Sequence, residues 1–309
     1  MLAMDRVSKR FGDTLAVDGI SFEAAPGRIT AVIGPNGAGK STAFRIIAGV
    51  LNPDGGEVRW EGQLLRDALP RERIGFLPEE RGLYQDLRVE HVLAYWAALR
   101  GLGKREARAV MDRWLERLDL TTKRRELVRA LSKGNQQKLQ LCACLLHDPS
   151  LLVLDEPFSG LDPINQELVC SILAEQCQRG AVVLISAHQL SLVERIADHV
   201  LILSKGAILD AAAVRGDPPP RLHAGKSWVV RIRSNRIEEL ETHLRAAGGE
   251  PLEPASGNTL RTAFSNLTLE QFFLSMSEIA ANPAIIDIEV ERDDLHRKYV
   301  ALVAAGQGK

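Results

Sequence analysis

The chain has 309 residues, 45% hydrophobic and 26% charged, with 39 basic against 40 acidic side chains and a formal net charge of −1. That length allows roughly two domains with a sizeable core, and the balanced charge excludes the global basic field of a nucleic-acid binder. No apolar run approaches the ~18 residues that cross a bilayer, and the start, Met1-Leu2-Ala3-Met4-Asp5-Arg6, lacks the basic-then-apolar order of a signal peptide; a cytosolic chain is expected.

The first 27 residues alternate apolar and polar positions, with turn signals at Gly12-Asp13 and Pro26-Gly27, which predicts short antiparallel strands. Residues 28–33 are apolar and β-branched, a buried strand, and residues 42–49 read as a helix ended by glycine. Between them stands Gly34-Pro35-Asn36-Gly37-Ala38-Gly39-Lys40-Ser41, which fits the phosphate-binding pattern G-x-x-x-x-G-K-[ST] in the strand–loop–helix context it needs. Gly34, Gly37 and Gly39 are expected at positive φ, curling backbone N–H groups into an anion nest that opens the helix. Lys40 is expected on the β- and γ-phosphates, the Ser41 hydroxyl on Mg²⁺, and Thr42 in the first helical turn beside them. A nucleoside triphosphate is the ligand this implies.

A turn at 52–56 precedes strands expected at 57–60 and 73–78, the latter stopped by Pro78. From 87 to 147 the pattern is helical, with segments at 87–100 and 104–118 and no strand. Near-continuous apolar strands resume at 150–155, 181–186 and 200–203, as in a parallel sheet covered on both faces. The first of these ends in Asp155-Glu156. Carboxylates at the C-terminal end of a parallel strand reach the crevice where phosphates sit: Asp155 to hold Mg²⁺, Glu156 to orient and polarise the attacking water. The four cysteines, Cys142, Cys144, Cys170 and Cys177, form no C-x-x-C pair and are expected as buried, reduced thiols.

Residues 211–225, with Asp217-Pro218-Pro219-Pro220, suggest a linker. Beyond it the pattern gives strand 228–232, helix 237–247, strand 258–263, helix 269–281, strand 285–290 and helix 293–304, a small α/β module without a chemical motif.

Leu131-Ser132-Lys133-Gly134-Asn135-Gln136-Gln137 resembles the LSGGQ signature of ATP-binding-cassette (ABC) ATPases. Ser159-Gly160-Leu161-Asp162 is similar to their D-loop, and His188 to their switch histidine. The resemblance runs from about residue 3 to 215, with the motifs in the family's order. It implies an α/β P-loop NTPase core with a mixed, largely parallel sheet, an N-terminal antiparallel β subdomain and a helical insertion at about 85–148. Together these make an ATPase domain over 1–215, followed by a linker at 216–225 and a small C-terminal α/β domain over 226–309. It also implies ATP and Mg²⁺, catalysis by Glu156, His188 and Lys40, and two cassettes facing head to tail, either a homodimer or two different chains. Each ATP would lie between one P-loop and the partner's Ser132, Gly134, Asn135 and Asp162. Lys133 and Asn135 depart from the family's glycine and glutamine. Glu79 replaces the Q-loop glutamine, so it is either a stronger Mg²⁺ ligand or part of a solvated acidic loop. Phe11 either stacks on adenine or packs in the core.

The wording of residues 77–84 and 132–137 is similar to ATPase subunits of sodium-extrusion and drug-resistance exporters, partnered by a multi-span permease at the inner face of the cell membrane. On that likeness the groove near 79–86 accepts a permease helix, with Leu83, Tyr84 and Leu87 either contacting it or packed inside. Lys123-Arg124-Arg125 is read as a solvated helix end rather than a lipid contact. The rival reading, a soluble cassette acting on nucleic acid or ribosomes, lacks any basic extension, second cassette or coiled-coil insertion to support it, so no nucleic acid is expected.

Overall fold

The computed structural model describes residues 1–80, 82–209, 226–234, 244, 249–251, 259–267 and 285–292. The chain divides into two compact units, with the boundary between Gly216 and Asp217.

In the first unit β1 (Leu2–Phe11) and β2 (Thr14–Ala24) form an antiparallel hairpin. These strands of 10 and 11 residues are not the short ones expected. Register shifts between Met4 and Val7, Val7 and Lys9, and Lys9 and Arg10 break the alternation without ending the pairing. After β3 (Ile29–Ile33) and α1 (Lys40–Ile47), the chain returns to the hairpin sheet as β4 (Gly55–Trp60) and β5 (Gln63–Leu64). The order is β2-β1-β4-β5.

A short helix α2 (Leu65–Ala68) leads to β6 (Ile74–Leu77). The helical insertion follows as α3 (Val89–Leu99), α4 (Lys104–Arg117) and α5 (Lys133–Leu145). Then come β7 (Leu151–Leu154), α6 (Pro163–Gln178), β8 (Val182–Ser186), α7 (Leu190–Ile196), β9 (His199–Ser204) and β10 (Ala207–Ile208).

The second sheet runs β10-β9-β3-β8-β7-β6, with every pairing parallel except that of β10. Each residue of β3, β7 and β8 is buried, which is why these strands had to be written as unbroken apolar runs. Helix α1 packs Ala43, Phe44, Ile46 and Ile47 into the core beside Leu151, Val153, Val182 and Leu184. It closes at Gly49, whose φ of 68° lets its N–H turn back to Ile46 O at 3.0 Å. Strands β3, β6, β7 and β8 therefore present their C-terminal ends along one edge, and the loops leaving those ends carry Gly34–Lys40, Glu79, Asp155-Glu156 and His188.

The basic run at Lys123 is not a free patch. Arg124 pairs with both Glu90 and Asp112, and Lys123 with Glu126 at 2.9 Å. Of the cysteines, only Cys142 and Cys144 are buried; Cys170 and Cys177 are half-buried, and all four are free. Burial pushes the Cys144 thiol up to about 12.

The second unit is described through an antiparallel sheet of β11 (Lys226–Ser234), β12 (Gly249–Pro251), β13 (Thr259–Leu267) and β14 (Ile285–Arg292), in the order β12-β13-β11-β14. The three expected strands are present and longer, and β12 is additional. The expected helices at 237–247, 269–281 and 293–304 lie outside the described residues apart from Leu244, which is helical. The linker at 211–225 lies outside them altogether.

Candidate active site

The loop from β3 to α1 gathers its groups by two different uses of glycine. Gly37 (φ 76°) and Gly39 (φ 102°) take left-handed backbone, where a side chain would be strained. Gly34 does not, contrary to the expectation above. A Cβ there would lie 2.3 Å from Leu203 O of β9, so Gly34 is a matter of space rather than φ. At Gly39 both constraints meet, because a Cβ would also lie 2.3 Å from Ala16 O of β2.

Lys40 is buried, and its Nζ donates to Gly34 O at 2.8 Å and Pro35 O at 3.2 Å. Burial lowers its pKa, while Glu156, Asp155 and Glu79 oppose that shift. A buried cationic group at the first residue of α1 adds to the positive end of the helix and suits an anion.

β7 runs out through Asp155, whose N–H donates to Leu77 O at 2.8 Å. Glu156 then takes a φ of 54°, sparsely populated for a non-glycine residue and a frequent mark of functional sites. Ser186, at the end of β8, fixes both residues: its Oγ donates to Asp155 Oδ1 at 2.6 Å and accepts the Glu156 N–H at 2.8 Å. His188 Nε2 lies 3.2 Å from Glu156 Oε1. Burial raises the Glu156 carboxyl above its ordinary range; His188 and Lys40 pull it down, and Asp155 and Glu79 push it up.

These residues line one cleft of about 420 Å³, the size of a small-molecule site. Asn36, Gly37, Ala38, Gly39, Lys40, Ser41 and Thr42 form one wall; Glu79, Asp155, Glu156 and His188 form the other. Ala16 completes it. Phe11 is not among the lining residues; it is half exposed, with Lys9 Nζ 5.8 Å from its ring centre, so it is not core.

Ser132, Gly134, Asn135 and Asp162 do not line the cleft either. Ser132 and Asp162 are N-caps. Ser132 Oγ accepts the Asn135 N–H at 3.2 Å, opening α5, and Asp162 Oδ1 accepts the Asn165 N–H at 2.9 Å, opening α6. The Asn135 N–H is thus engaged within its own helix end. A Cβ at Gly134 would come 3.0 Å from Gly160 O, so the signature sits close against the D-loop of the same chain.

A family-wide sequence pattern described as "ABC transporter" matches residues 17–159. The uncharacterized ABC transporter ATP-binding protein YhaQ of Bacillus subtilis (strain 168) is 36% identical over 305 residues, covering 99% of each chain. The chain belongs to the ABC transporter ATP-binding proteins. A second relative, the daunorubicin resistance ATP-binding protein DrrA3 of Streptomyces coeruleorubidus, is 36% identical over 210 residues, 67% of this chain and 66% of that one. Among solved structures, the ATP-binding subunit of an ABC transporter aligns with a TM-score of 0.64 and 29% identity over 72% of this chain and 97% of that one.

This ABC ATPase hydrolyses ATP, and its cleft is lined by the glycine loop and Lys40. Among the described residues no three His, Cys, Asp or Glu side chains cluster as a complete metal site. The oxygen donors at the cleft, Ser41, Asp155 and Glu79, suit a hard cation that takes its remaining ligands from substrate phosphates, the usual Mg²⁺ arrangement. Sequence reading missed Ser186, Gln137 and Gln140. For two of them the signal was a lone polar residue in an apolar run, Ser186 after Val182-Val183-Leu184-Ile185 and Gln140 between Leu139 and Leu141; Gln137, between Gln136 and Lys138, has none.

Proposed function

We propose that two copies of this chain close head to tail on ATP and drive a separate multi-span permease, most naturally in export. The observation that carries this is the division of the site. Lys40, Ser41, Asp155, Glu156 and His188 share one cleft, while the signature residues Ser132, Gly134 and Asn135 and the D-loop Asp162 lie outside it. A helix N-terminus not used in its own cleft suits the γ-phosphate held by a partner. Export rests on the 36% identity to a daunorubicin resistance protein. Among the described residues no helix is long and apolar enough to cross a membrane, so the membrane path falls to the permease.

In the closed pair Lys40 leaves the Gly34 and Pro35 carbonyls for the β- and γ-phosphate oxygens, and the loop N–H groups hold the rest. Ser41 and Asp155, with Glu79 as a third oxygen donor, would hold Mg²⁺, which would neutralise phosphate charge when bound. Glu156 accepts a hydrogen bond from the attacking water and polarises it, and His188 keeps the Glu156 carboxylate oriented.

Tyr84 and Leu87 are exposed, whereas Leu83 is buried. Tyr84 meets Tyr95 of α3 edge to face at 5.6 Å, and Tyr95 and Leu99 are exposed as well. This aromatic and aliphatic surface, beside the loop that carries Glu79, is the seat proposed for the permease and holds the ATPase at the inner membrane face.

The test is recovery of the full chain from gently solubilised membranes of its source, with partners identified by mass. A multi-span protein at near-equal amounts is expected; ribosomes or nucleic acid without a membrane protein would overturn the transport reading.

A further inference from the structure

Helix α5 carries two glutamines three residues apart, so they share a face, and both are almost fully buried, Gln137 at 3% and Gln140 at 6% exposure. Each amide holds a turn that carries a cleft carboxylate. Gln137 Nε2 donates to Glu156 O at 3.1 Å and Pro157 O at 3.2 Å. Gln140 Nε2 donates to Pro78 O at 3.0 Å and Glu80 O at 3.4 Å, the carbonyls on either side of Glu79. Carbonyls only accept, so the NH₂ end of each amide must face them.

Folding stability alone does not account for Gln140. Its Oε1 is buried without a hydrogen bond inside the protein, an expensive arrangement, and its neighbours Leu139, Leu141 and Cys142 are apolar and buried. An apolar side chain of the same length would fill the space. What it could not do is hold the loop at 78–80. The same helix begins at Ser132, whose hydroxyl caps it, so the signature and the two carboxylate-bearing turns hang on one rigid rod.

We propose that Gln137 and Gln140 are positioning residues that key the signature helix to the Glu156 and Glu79 turns, so that the placement of both carboxylates follows the placement of α5. The inference rests on the roles given to Glu79 and Glu156 above. Through it, closure on a nucleotide at Ser132 is reported to the chain's own cleft by four hydrogen bonds from side-chain amides to backbone carbonyls.

The test uses the full chain with Gln140→Met, which keeps length and helix preference but donates nothing, and Gln140→Leu, which is also a good helix former and likewise cannot donate. Both are expected to leave KM for ATP within about twofold and to lower kcat about tenfold or more, as a displaced group does. In a Glu79→Gln background the Gln140→Met change should cost less than about threefold further, because the two act through one element. Hydrogen exchange at the Glu79 and Glu80 amides should speed up in Gln140→Met without added nucleotide. Native kcat with native exchange, or an equal loss in both backgrounds, would overturn the proposal. Glu156→Gln is assayed beside them. If it keeps full turnover, the site reading itself fails; if it loses turnover while both Gln140 variants keep theirs, the positioning role alone fails.

Discussion

The Ser186 hydroxyl at the end of β8 joins Asp155 and Glu156, donating to the first at 2.6 Å and accepting the N–H of the second at 2.8 Å. Asp155 is buried, and a buried carboxylate without its donor is costly. Ser186→Ala should therefore destabilise the chain by about 2–3 kcal/mol in urea unfolding and lower kcat, because the Glu156 turn also loses its anchor. A stability change within about 0.5 kcal/mol, the level of an ordinary surface substitution, would contradict this.

The pH dependence of turnover follows from Glu156. In the role proposed for it the carboxylate is the working form, and burial raises its pKa, with Asp155 and Glu79 adding to the rise and His188 and Lys40 opposing it. The acid limb of kcat/KM should therefore lie above the ordinary glutamate range. Glu79→Gln removes one neighbouring negative charge, lowers the Glu156 pKa, and should move that limb to lower pH. A limb that stays put or moves up in Glu79→Gln would count against Glu156 as the titrating base.

His147 gives a second pH effect, on stability. Burial, together with Arg100, pulls it down to about 4, and its Nε2 meets Ile74 O at 3.3 Å. Unfolded, it would titrate near 6.5 and take up a proton the folded chain refuses. Stability is thus fully present above about 6.5 and lost as pH falls towards 4, on the order of 2–3 kcal/mol from this residue. His147→Gln should flatten that part of the stability profile; an unchanged slope would refute the assignment.

The P-loop, Asp155-Glu156 and His188 were legible because each is a short local pattern placed on a strand end by hydrophobic periodicity. What escaped was set by distant backbone. Gly34 is needed because Leu203 O approaches from β9, 169 positions along the chain, and no local pattern says so. Ser186 and Gln140 act through partners 31 and 62 residues away. The hairpin was expected short because bulges at Val7 and Lys9 reset the alternation that period-two reading relies on.

A site completed by a second copy, as proposed above, should be visible in the mass of the chain. The most direct measurement is the mass of the Glu156→Gln chain in solution, by sedimentation at saturating ATP and Mg²⁺, against the same chain without nucleotide. ATP binding, turnover reduced to near zero, and a shift from monomer to stable dimer are expected. A chain that binds ATP and remains monomeric would contradict it.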